Sequence, residues 1–308
     1  MGSASGDSRR GLSATDPGAV EGLRRLIGAA VQNLLVGERD LSAFDRPEGD
    51  PGLLGPDSVA WRVHGDLACL IGGVRALFLQ TMHPLAMAGV AEHSDYRNDP
   101  FGRLHRTAAY IAVTTFGSTE AATAAIARVN SVHKSVLGIA PDGRPYAATD
   151  PELLLWVHAT EVASFVKAVQ LFGTTQISSE DVDRYLAEMA PIAEALGAEN
   201  VPTDRVEMKV YWDRVRPELV AGSQAKETAR FLLTPPLPLW ARPAYGVITA
   251  AAVGSLPSVV REGLGLPNMP VVNQVAVRPA ARAVVKLLGW SLGPSPAVAA
   301  ASRRAGAG

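Results

Sequence analysis

The chain has 308 residues, 47% of them hydrophobic and 19% charged, the make-up of a globular protein with a sizeable core. A net charge of −1 lacks the cationic excess that a nucleic-acid partner requires, and Cys69 as the only cysteine excludes an intrachain disulfide, a thiolate zinc cluster or a Cys-bound iron–sulfur centre. No apolar run reaches the roughly 20 residues that span a bilayer, since Ala244 to Val260 is broken by Gly254 and Pro257, and Val284 to Leu292 by Lys286 and Gly289.

Met1 to Gly18 is rich in Gly, Ser and Asp and reads as a flexible segment, 1–18. Arg9-Arg10 follows Ser8 as in a twin-arginine signal, but no apolar segment follows directly, so a cytoplasmic protein is expected. Asp16 then caps a helix with Pro17 at its first position and a stripe through Leu23, Ile27, Val31 and Leu34. Pro56 and Asp57 open one long helical segment through Trp61, Leu67, Leu70, Val74 and Leu77, and His83-Pro84 marks a break where the imidazole satisfies free backbone groups. Glu92, His93 and Asp95 form a polar group read as solvated.

The stretch Gly102 to Gly138 holds the most pointed pattern. A helix begins after Asn98-Asp99-Pro100 and carries Arg103 and Thr107 four apart, hence stacked on one side, with Tyr110, Ile111, Thr114 and Thr115 continuing that side or its flank. A second helix is capped by Ser118 or Thr119, has Glu120 in its first turn, and is predicted to stop at Gly138. On it Ile126, Val129, His133, Val136 and Leu137 share one face. The pairing suggests a buried haem pocket, yet periodicity leaves two readings of His133 open: a satisfied core histidine or an iron ligand. Arg103 and Thr107 are likewise a solvated pair or part of a site.

Gly138 to Asp150 reads as a loop with Tyr146 as its anchor, followed by a helix from Asp150-Pro151-Glu152 towards Phe172 and Gly173. On that helix His158 and Glu161 share a side, as a pair that supports a site from behind or as a core histidine bonded to Glu161 or to a carbonyl. Ser178 caps the next helix, with Val182, Tyr185, Met189 and Ile192 inward, and Thr203-Asp204 starts another that ends before Arg216-Pro217. Strand signals are nearly absent, and no HExxH, GxSxG, P-loop or dinucleotide fingerprint occurs. The expected organisation is a single all-α domain over 19–296 with a flexible tail, 297–308. From Ala229 onward eight Arg or Lys residues face Glu262 alone, a local charge of +7. That segment is a solvated face, or it meets an anionic membrane surface, a partner or cofactor carboxylates. The apolar loop Leu232 to Trp240 admits peripheral membrane contact.

The order GGVRALFLQTMHPLAMAGV, DPFGRLHRTAAYI, FGS, VHKSVLG, DPELLLWVHAT and FLLTPPLPLWARP, from about Trp61 to Pro270, resembles the MpaB/rubber-oxygenase family, which includes the latex-clearing proteins. The resemblance implies a globin-like helical bundle around haem b, with O2 as co-substrate and an apolar small molecule as substrate. It maps the iron ligand onto His133 and the pocket Arg and Thr onto Arg103 and Thr107; His158, from its place beside Glu161, is also expected to bind the cofactor. Arg106 stands where rubber oxygenases carry a lysine that reaches the iron, and a guanidinium is a poor ligand. Glu92 or Asp95 falls in the stretch that supplies an assisting base. Oxidative C=C cleavage, hydroxylation and dehydrogenation all fit such a site. The rival readings are a non-catalytic haem or apolar-ligand binder, and a haem-free, membrane-peripheral helical protein.

Overall fold

The computed structural model describes residues 21, 22, 24, 25, 28, 29 and 41–306; the predicted helix from Asp16 falls largely outside them, and those described between 21 and 29 are helical. The architecture is all-α with one small hairpin. The chain runs through α1 (Ser42–Asp45), α2 (Val59–His64), α3 (Cys69–Gln80), α4 (Pro84–His93), α5 (Pro100–Phe116) and α6 (Thr119–His133), then β1 (Leu137–Ile139) and β2 (Pro145–Ala147). It continues through α7 (Pro151–Phe172), α8 (Ser179–Leu196), α9 (Arg205–Val215), α10 (Ser223–Leu233), α11 (Arg242–Ser255) and α12 (Ser258–Leu264). The last elements are α13 (Pro270–Val272), a π-helical turn over Asn273–Val277, α14 (Arg278–Leu292) and α15 (Pro296–Arg304).

The core is built around α7, which buries residues on most of its circumference, from Leu153 to Phe172, as a central helix must. Its Asp150 cap and Pro151 start follow from local chemistry. Gly72 on α3 permits close packing, because a Cβ there would lie 2.8 Å from Phe165 Cδ1 and 3.0 Å from Ser164 O. Buried Arg75 ties three elements together by donating to Ser164 Oγ at 2.7 Å and to Ser255 O, at the end of α11, at 3.3 Å.

Four expectations are corrected. The long segment predicted from Pro56 is split into α2 and α3, because Asp66 turns the chain: its Oδ1 accepts from Ala68 N and its Oδ2 from Thr174 N and Thr175 N. Helix α6 ends at His133, not at Gly138, so Val136 and Leu137 do not continue its face. Gly138 instead pairs with Tyr146 in the antiparallel hairpin, within the segment predicted as a loop; a Cβ there would lie 2.5 Å from Tyr146 Oη. The C-terminal stretch predicted to fray is helical through Arg304, which is buried and donates to Asp50 O, Phe44 O and Phe116 O.

Candidate active site

Helices α5 and α6 form a hairpin. Asp99 Oδ1 accepts from Gly102 N at 2.8 Å with Pro100 at the first helical position, and Ser118 Oγ accepts from Ala121 N at 3.1 Å. Only Gly117 and Ser118 separate the helices, which pack on each other. Arg103 lies 14 residues before Gly117 and His133 lies 15 after Ser118. At 1.5 Å per residue each is about 21 Å from the link, so the hairpin brings the two level at its open end.

Arg103 is half-buried and donates from Nη1 to Ser94 Oγ at 2.8 Å; burial pulls its pKa down, yet a guanidinium keeps its proton. Thr107 is exposed one turn on, and Tyr110 is half-buried on the same stripe. Arg106 is exposed and pairs with Asp99 at 3.3 Å. His133 is half-buried, and its Nδ1 is buried without a hydrogen-bond partner. Burial lowers its pKa, which favours the neutral imidazole.

The third wall belongs to α7. Glu152, Lys167 and Gln170 form its outer stripe, but a second stripe, nearly half a turn away, is also open: Val157 is 39% exposed, and His158 and Glu161 are half-buried. His158 Nε2 is buried without a partner, and burial pushes its pKa down to about 4. Burial pushes the Glu161 carboxyl up to about 7. Among the described residues no hydrogen bond joins the two, so His158 is not the satisfied core histidine that its spacing allowed. Across from them, Tyr110 Oη is buried without a partner, and its pKa is raised by burial and then by the charge of Glu161. The principal packing partners of α7 are α3 and α8, not the α5–α6 hairpin. Glu161 on α7 lies near enough to Tyr110 on α5 for its charge to act on it, and the space between the two helices is a candidate cleft in which Tyr110 Oη and His158 Nε2 find no partners.

Beside this cleft, Tyr146 Oη donates to Glu92 Oε2 and lies 3.1 Å from His93 Nε2; burial, then Glu92, pushes its pKa up to about 12. Glu92 and His93 are exposed, as expected of solvated residues, and in addition join this network through Tyr146. Asp95 Oδ1 accepts from Asn98 Nδ2 at 2.6 Å. Both carboxylates considered as bases are engaged, whereas Glu161 is not. His64 is half-buried and held between Thr115 Oγ1 at 2.6 Å and Tyr185 Oη at 2.8 Å, with burial pushing its pKa down to about 3. His83 stands at the predicted break, but its Nδ1 satisfies nothing.

Among the described residues no group of three or more His, Cys, Asp or Glu side chains could hold a bare metal ion. A haem would bring four nitrogen donors of its own and would need as little as one histidine from the protein. The donor set fits that demand: a neutral histidine with an orphaned ring nitrogen, a half-buried arginine for carboxylates, and orphaned Tyr and His atoms opposite. Two concavities, about 270 Å³ at Lys226, Arg230 and Glu262 and about 350 Å³ at Leu53, Ile126 and Ile192, include none of these side chains.

Residues 61–290 match the family described as "ER-bound oxygenase mpaB/B'/Rubber oxygenase, catalytic domain". Two curated relatives, the uncharacterized proteins Mb2261 of Mycobacterium bovis and Rv2237 of Mycobacterium tuberculosis, are each 29% identical over 132 residues, 42% of this chain. The chain spans about half of their length, 52%. No solved structure matches it.

Proposed function

We propose that this chain, which belongs to the MpaB/rubber-oxygenase catalytic-domain family, is an oxygenase that uses haem b to oxidise an apolar small molecule at the face formed by α5, α6 and α7. The observation that carries this reading is the set of buried polar atoms without partners on these three helices: Tyr110 Oη and His158 Nε2 at the candidate cleft, and His133 Nδ1 on α6. An orphaned buried polar atom costs about 1–3 kcal/mol, which a bound group recovers.

The haem supplies the redox chemistry with dioxygen that no side chain provides. His133 holds it through a neutral ring nitrogen, and the low pKa keeps that nitrogen free of a proton at neutral pH. Arg103, fixed on Ser94, offers a permanent cation to a carboxylate at the mouth of the hairpin. Thr107 and Tyr110 place hydroxyl donors on the same stripe of α5. Glu161, with a pKa of about 7, is the group able both to give and to take a proton at neutral pH. It therefore replaces Glu92 and Asp95 as the favoured acid–base group. Val157 and Leu104 give apolar walls to a non-polar substrate. Arg106, turned to solvent and paired with Asp99, is assigned no part in holding the cofactor.

Expression with haem supplied tests this reading. The wild type should carry about one haem per chain and, once reduced, take up oxygen with at least one apolar alkene from a panel of isoprenoids. A protein that stays colourless defeats the cofactor assignment, and a loaded protein inert to the whole panel reduces the claim to haem carriage.

A further inference from the structure

Residues Pro270–Leu292 form one continuous helical rod through α13, the π-helical turn and α14, since the junction residues Val272, Asn273, Val277 and Arg278 all have right-handed helical dihedrals. At 1.5 Å per residue the rod is about 34 Å long. Its inner face at Ala281, Val285, Leu288 and Ser291 is buried. Its outer face recurs every three to four residues at 271/272, 275/276, 279, 282/283, 286/287 and 290, all exposed. A surface helix ordinarily turns polar residues outward. Here the outward side chains include Val271 at 70% exposure, Val275 at 68%, Leu287 at 51% and Trp290 at 42%. The charges on that face are Arg282 and Lys286, and no Asp or Glu occurs anywhere from Gly263 to Gly308.

The orientation is anchored. Asn273 Nδ2 donates to Gly254 O at 2.9 Å, and a Cβ on Gly254 would lie 2.3 Å from Asn273 Oδ1, so α11 holds the π-helical turn at a site only glycine permits. Arg282 Nε donates to Leu171 O at 3.0 Å and fixes α14 against the end of α7. The valines cannot roll inward without breaking these contacts.

We propose that the outer face of Pro270–Leu292 docks in the plane of an anionic membrane surface, with Val271, Val275, Leu287 and Trp290 inserted among the acyl chains and Arg282 and Lys286 against lipid phosphates. An apolar stripe flanked by cations, with an aromatic residue at one end, is the pattern of an interfacial helix. A second copy fits poorly, because a two-fold pairing of this face sets Arg282 and Lys286 against their own like charges. The docking itself does not depend on the cofactor reading.

Co-sedimentation of the full chain with phosphatidylcholine vesicles and with phosphatidylcholine–phosphatidylserine vesicles tests the proposal. Binding should appear with the anionic vesicles, weaken with added salt and with Lys286→Gln, and fall by at least roughly tenfold in the V271S/V275S/L287S variant. Brominated lipid should quench wild-type fluorescence more than that of Trp290→Phe, a readout that stands even if the triple variant fails to fold. Equal binding to both vesicle types overturns the electrostatic part. No binding, binding indifferent to all these variants, or a wild-type dimer that the triple variant converts to monomer overturns the docking.

Discussion

Replacing Glu161 with Gln isolates the electrostatic character of the cleft. The Glu161 carboxyl ionises near 7 in the folded chain against an ordinary 4.5. At 1.36 kcal/mol per pH unit that gap disfavours the folded state by about 3 kcal/mol once the group is ionised, and the solvent that reaches this half-buried side chain reduces this to about 1–3 kcal/mol. Between pH 4.5 and 7 the folded chain holds a proton that the unfolded chain has released, so stability falls as pH rises through that window and levels off above it. His158 and His64 act oppositely: their folded values, about 4 and about 3, lie below 6.5, so their contribution grows as pH rises towards 6.5. Those contributions are common to both proteins and cancel in the difference. Urea unfolding at matched pH should show E161Q within a few tenths of a kcal/mol of wild type near pH 4.5 and more stable by about 1–3 kcal/mol above about pH 7. A difference that does not change with pH would refute the claim that Glu161 ionises against a buried, unpaired background.

Two structural predictions follow from close contacts elsewhere. Gly138→Ala places a methyl group 2.5 Å from Tyr146 Oη and 2.9 Å from Glu92 Oε2, and should destabilise the chain by about 1–3 kcal/mol. Its effect should be non-additive with Tyr146→Phe in denaturant titrations; strict additivity would mean that the two residues do not touch. Arg304→Ala strips the donors from the carbonyls of Phe44, Asp50 and Phe116 and should cost roughly 2–5 kcal/mol. An unchanged unfolding midpoint would show that α15 does not belong to the folded core.

What the sequence could disclose was local. Asp99-Pro100, Ser118, Asp150-Pro151, Ser178 and Asp204 each cap a helix with their own side chains, and all five helices begin where those residues stand. The β1–β2 hairpin was hidden because Gly138 looks like a helix stop until Tyr146 is seen above it. Helix α15 was hidden for a similar reason: the partners of Arg304 are the carbonyls of Phe44, Asp50 and Phe116, all far away in sequence. Spacing set His158 beside Glu161 but could not reveal that each lacks a partner, since that depends on what lies across the cleft. Periodicity likewise marks 270–292 as two-faced without telling which face the core takes.

The visible spectrum of the haem-supplied protein, set beside His133→Ala and His158→Ala, bears most directly on the central claim. Wild type and His158→Ala should both show a stoichiometric Soret band, while His133→Ala should lose it or bind haem with a clearly altered ferrous spectrum. An unchanged ferrous spectrum in His133→Ala would contradict the assignment of His133 as the iron ligand.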